Sequence, residues 1–258
     1  MHRATLIIAV VAVGVVGWLF VAPRIVLYAA QRRAIQEFAD GRAVLNAVPQ
    51  SPFRRIAPAG DYTNSVWMDA GGCAIGFPAD YYVRDSDPKR GKGMLHHLRY
   101  RILVLPGLNA KEFDPVMQPL NETNFYGFII SALNATERDI PNQRSMDALM
   151  KHLILLKVKR LLPIGIEESC ILFDRGDLKG FIILDPTRSH IATVCIYIES
   201  EQKLVYLGVI QEARIGIADL EKLISFLKVQ SSNTFVPGEF RLDASTNGPE
   251  ALLPAQRH

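Results

Sequence analysis

The chain has 258 residues, of which 49% are hydrophobic and 21% charged, with a net charge of +3 and a pI near 8.7. That balance excludes a disordered polyelectrolyte. It also gives no basis for a nucleic-acid partner, because basic residues alternate with acidic ones instead of forming a stripe.

Residues 4–23 (ATLIIAVVAVGVVGWLFVAP) contain no charged side chain. As a helix this run spans roughly 30 Å, the thickness of a bilayer's hydrocarbon core. It follows a short basic stretch, Met1-His2-Arg3, as a signal peptide does. However, it exceeds the usual length of a cleavable apolar region, and no small-x-small site follows it. The sequence therefore predicts an uncleaved signal-anchor, with the lipid bilayer as partner through residues 4–23 and room for a membrane protein beside it. The short basic n-region favours an exported domain, while Arg24, Arg32 and Arg33 favour a cytoplasmic one; export is the expectation.

Four segments follow from composition: an anchor and helix start over 1–30, a juxtamembrane helix and proline-containing spacer over 31–65, a single globular domain over 66–230, and a disordered tail over 231–258. The anchor helix is expected to run on past Ile35 and Phe38. Residues 95–105 (LHHLRYRILVL) alternate as one strand, with Leu98, Tyr100, Ile102 and Val104 on one face and His97, Arg99 and Arg101 on the other. A helix is expected over 123–133. Another, capped by Ser145, carries a stripe of Met146, Leu149, Met150, Leu153, Ile154 and Leu156 that should end before Lys157 and Arg160. Residues 170–173 and 180–184 flank the turn residues Asp174, Arg175, Gly176 and Asp177, and residues 190–199 and 204–210 flank a second polar turn. These read as two antiparallel hairpins. Ile217, Leu220, Leu223, Ile224 and Leu227 form the stripe of a closing helix. The predicted class is α+β: a transmembrane helix, then a mostly antiparallel sheet of five or six strands packed with two or three helices.

The run Gly72-Cys73-Ala74-Ile75-Gly76-Phe77-Pro78-Ala79-Asp80-Tyr81-Tyr82-Val83 resembles the strand-then-Pro-x-x-aromatic opening of PsbP-like domains. The end of the domain, with Ala218-Asp219-Leu220-Glu221-Lys222-Leu223-Ile224-Ser225-Phe226, is similar to their closing hairpin and helix. The resemblance covers residues 66–229 and implies an α/β/α sandwich acting as a membrane-attached accessory or assembly module. It transfers no functional residue, and the helical middle over 121–162 departs from it.

Reactive chemistry is not legible. His96 and His97 are adjacent and point to opposite faces of a regular strand, so they cannot chelate one ion. No nucleophile elbow or phosphate loop occurs. Cys73, Cys170 and Cys195 lack metal-ligand spacing and read as small buried residues, although an exported Cys73 would be open to oxidation. No cofactor, metal or catalytic residue is expected. The one candidate is a weak anion-binding face of His97, Arg99 and Arg101. The leading function is a membrane-anchored binding or assembly module without catalysis. The rival is a tethered hydrolase pairing His97 or His190 with Asp174, Asp177 or Asp185.

Overall fold

One long helix, α1 (His2–Glu37), opens the chain and carries the uncharged run directly into the folded part. The computed structural model describes residues 2–39, 48–60, 65–70, 73–87, 92–97, 100–164, 169–184 and 190–231; the tail expected to be disordered lies almost wholly outside them. Among the described residues no helix is long and apolar enough to cross a membrane. The side chains of residues 2–17, 19 and 20 are not among those described, so that finding does not extend to most of the run.

The fold is α+β, with more strands than the sequence suggested. An eight-stranded sheet has the order β1-β7-β8-β9-β10-β6-β5-β4 and a three-stranded sheet the order β11-β3-β2. The strands are β1 (Pro49–Arg55), β2 (Ser65–Asp69), β3 (Cys73–Pro78), β4 (Tyr82–Asp87), β5 (Lys92–His96), β6 (Tyr100–Asn109), β7 (Ser169–Asp174), β8 (Lys179–Leu184), β9 (Ile191–Ile198), β10 (Lys203–Gln211) and β11 (Lys228–Ser231). The segment read as a spacer thus contributes β1 to a sheet edge, where its two prolines are tolerated. The helices after α1 are α2 (Ala110–Met117), α3 (Phe125–Asn134), α4 (Met146–Lys159) and α5 (Ile217–Phe226). The chain divides into two compact units.

The first unit comprises residues 1–51, 110–171 and 185–187. Its apolar cluster joins Ala34 of α1 and Phe38, just past the end of that helix, to Ala135, Ile140, Leu149 and Leu156, with Leu27, Ala30 and Ile35 packed against it. The spacing 27, 30, 34, 38 is one face of a helix, so α1 doubles as a core element of this unit. Ser145 caps α4 as expected, accepting from the Ala148 N–H at 3.1 Å. The stripe differs from the one predicted. Met146 and Met150 are exposed, and Lys159 is fully buried because its ammonium donates to Leu133 O and Ala135 O, both at 2.8 Å. Those carbonyls end α3, where a cation complements the helix dipole.

The second unit comprises residues 52–109, 172–184 and 188–258. Its β8–β9, β9–β10, β10–β6, β6–β5 and β5–β4 pairings are all antiparallel, and the hairpin of β9 and β10 falls where the polar turn placed it. The turn between β7 and β8 uses Gly176 at φ +96°, a conformation a Cβ would strain. Gly180 on β8 is needed for another reason: a Cβ there would meet Cys195 O at 1.9 Å. Arg175 is buried at the same turn. It pairs with Asp177 and donates to Ile224 O and Leu227 O, both at 2.6 Å, so it satisfies the orphan carbonyls at the end of α5.

Candidate anion-binding cleft

The text of residues 95–105 is a hairpin and not one strand. β5 ends at His96, the His97 N–H donates to Tyr100 O at 2.8 Å, and β6 starts at Tyr100 with His96 opposite Arg101. The connecting residues contain no Gly, Pro, Asn or Asp, so the usual turn signal is missing. From Tyr100 onward the predicted alternation holds: Ile102 and Val104 are buried while Arg101 and Leu105 are exposed.

This hairpin separates the proposed site residues. His97 sits in the turn, its ring stacked on Tyr81 at 4.7 Å and on Tyr100 at 5.8 Å. Its Nε2 is 2.9 Å from Asp80 Oδ2. Arg99 lies outside the described residues. Arg101 lines a half-open cleft of about 510 Å³ together with Arg84, Asp85, Met94, His96, Leu103 and Ile210.

Sheet register explains that lining. Met94 and His96 are alternate residues of β5; they face Leu103 and Arg101 of β6, and Arg101 faces Ile210 of β10. All project from one face of three adjacent strands. Arg84 and Asp85 are neighbours in sequence and would normally point to opposite faces. A register shift between Val83 and Asp85 on β4 brings both to the cleft, as a bulge re-aims a side chain. The site is therefore a floor of Met94, Leu103 and Ile210 with guanidinium groups at its edge.

His96 is the buried polar member, at 9% exposure, with Nε2 3.2 Å from Met94 Sδ. Burial first, and then the Arg84 and Arg101 charges, hold its imidazolium below the usual histidine range. The cleft thus has an excess of positive charge, with Asp85 as its only carboxylate among the lining residues.

The hydrolase geometry does not assemble there. The His97–Asp80 pair does not line the cleft, and its ring is occupied by two tyrosines. Asp177 is paired with Arg175, Asp174 accepts from the Gly176 N–H, and His190 is exposed with its carbonyl accepting from Gln211. Asp185 lies outside the described residues. Among the described residues there is no group of three His, Cys, Asp or Glu side chains placed to hold a metal.

No family model matches the chain, and none of the curated proteins searched matches it. A crystal structure from Bacteroides thetaiotaomicron VPI-5482 is similar over 65% of this chain and 49% of its own, at 11% identity and a TM-score of 0.25. This chain therefore spans about half the length of that protein, and a likeness this slight carries no argument about fold or function.

Proposed function

We propose that this protein is a single-pass membrane-anchored binding or assembly module, without catalytic activity, that receives an anionic group in the Arg84–His96–Arg101 cleft. The observation that carries the reading is the cleft itself: Arg84, Arg101 and the buried His96 line it beside an apolar floor, against the single carboxylate of Asp85. That composition suits a carboxylate or a tetrahedral oxyanion attached to an apolar body. The uncharged run at the start of α1 supplies the tether. The resemblance to PsbP-like domains fits the same reading, since those act mostly as membrane-attached accessory modules. The domain is proposed to be exported. Alkaline phosphatase fused after residue 60 is then active, and an inactive fusion places the domain in the cytoplasm.

Full-length protein in nanodiscs, titrated calorimetrically with sulfate and with succinate, tests the cleft. Binding of either probe is expected, weakened about tenfold or more by Arg101→Ala and by Arg84→Ala, each of which removes a charge-assisted hydrogen bond. Absence of binding by both probes, or binding indifferent to both substitutions, refutes the anion site.

A further inference from the structure

The exposed face of α1 does not become polar where the uncharged run ends. Trp18, Val21, Ile25 and Tyr28 are all exposed, at 67%, 51%, 55% and 66%. Their spacing of three, four and three residues places them on one stripe, turned away from the Leu27, Ala34 and Phe38 side that packs into the first unit. The stripe closes with Arg32, which is exposed together with Arg24 and Arg33.

A second apolar pair lies at the same end of this unit. Gln31 of α1 reaches Pro141 O and Gln143 O, just before α4 begins, while Arg160 and Lys157 near the end of α4 reach Glu37. α4 therefore runs beside α1 in the same sense, and its first turns lie toward the uncharged run. Those turns expose Met146 and Met150, at 39% and 53%, one helical turn apart on one face, with Arg144 exposed next to them.

We propose that Tyr28, Met146 and Met150 form a lipid-docking edge, with which the first unit rests on the bilayer that α1 enters. The proposal depends on residues 4–23 being a membrane span. Lipid is the occupant the geometry favours, because the stripe of Trp18, Val21, Ile25 and Tyr28 leads out of that run. Aromatic and methionine side chains bordered by exposed arginines are also the chemistry of the headgroup and acyl boundary. The unit is then held against the membrane by the end at which α4 begins, instead of swinging on a linker.

The test uses full-length protein in vesicles of three parts phosphatidylcholine to one part phosphatidylglycerol. Single cysteines introduced by Met150→Cys, Tyr28→Cys, Trp18→Cys and Ala39→Cys carry a fluorophore. The native thiols are buried and do not compete. Ala39 is exposed in the same unit, just past the end of α1 and about three turns beyond Tyr28. Nitroxide attached near the lipid headgroup is expected to quench the labels at 150 and 28 several-fold more strongly than the label at 39. If the label at 18 is quenched but that at 150 responds only to a water-borne quencher, the span stands and the docking edge is wrong. A label at 150 shielded from both quenchers means a protein covers it, which also overturns the proposal. Loss of lipid quenching at 18 removes the span itself.

Discussion

The side-chain amide of Gln31 donates to the main-chain oxygen of Gln143 at 2.9 Å and to that of Pro141 at 3.3 Å. Through these bonds a helix that starts as an uncharged, membrane-length run finishes as a wall of a folded unit. Phe38 completes that wall: it is fully buried, and the Arg160 guanidinium lies 4.4 Å from its ring centroid.

Truncation should therefore depend steeply on where it falls. A chain starting at residue 24 keeps Leu27, Gln31, Ala34 and Phe38 and should fold. Phe38→Ala in the full chain is expected to cost about 3–5 kcal/mol through the cavity it leaves. Denaturant unfolding measures the cost, and limited proteolysis should show cleavage concentrated within residues 110–164. A Phe38→Ala loss below about 1 kcal/mol would mean that α1 is not part of this core.

Arg175 is the polar joint of the second unit. Replacing it with Lys keeps the charge but cannot reach Asp177 and the α5 carbonyls together, so Arg175→Lys should lose most of what Arg175→Ala loses, about 3–5 kcal/mol. The hydrogen bond from Arg175 also holds the Asp177 carboxyl below its ordinary value. A carboxylate with a depressed folded pKa contributes stability above the unfolded value of about 3.9 and loses it as pH falls further. Asp177→Asn should remove that acid-side decline, which pH-dependent thermal melts would register.

Lys159 should act in the opposite pH range. Burial lowers its ammonium from 10.5 to about 8. Between those values the unfolded chain holds a proton that the folded chain has released, so stability rises with pH across about 8 to 10.5. Below pH 8 the full cost of burying the charge is present. Lys159→Met should flatten this alkaline rise relative to the parent protein in denaturant titrations. An unchanged slope would mean that Lys159 is solvated.

Cys73 and Cys170, pushed up by burial to about 11 and about 12, should be unreactive at pH 8 in the folded protein. Cys195 is equally buried. The oxidation expected of an exported Cys73 is thus opposed by packing, whichever compartment holds the domain. A thiol reagent should find no fast site before denaturant is added and three after it. One rapidly titrating native thiol would contradict the packing around β3, β7 or β9.

Periodicity made the hairpins and helices legible, because residues such as Ile102, Val104, Leu220 and Ile224 have one obvious place to go. It could not reveal the turn at His97, which lacks turn residues and is held by ring stacking with Tyr81 and Tyr100. The cleft was half legible for the same reason. Arg101 lies on a regular strand, whereas Arg84 reaches the site through a bulge and His96 through a strand end that no alternation pattern marks. The burial of Lys159 was not legible, because its partners are carbonyls exposed only by the end of another helix.

His96 gives the cleft a predicted pH dependence. Burial and two arginines disfavour its charged form. A bound dianion reverses the local field, so binding should draw a proton onto the imidazole. By linkage, affinity must then rise as pH falls toward and below the ordinary histidine value of about 6.5. Sulfate is the cleaner probe, since it does not titrate in this range. Its dissociation constant, measured on full-length protein, should fall about fivefold or more as pH is lowered from about 8 to about 5. His96→Gln should leave a flat profile, while Arg101→Ala should weaken binding at every pH and keep the slope. If His96→Gln retains the slope, the proton is taken up elsewhere. His97, 2.9 Å from Asp80, is the next position to substitute.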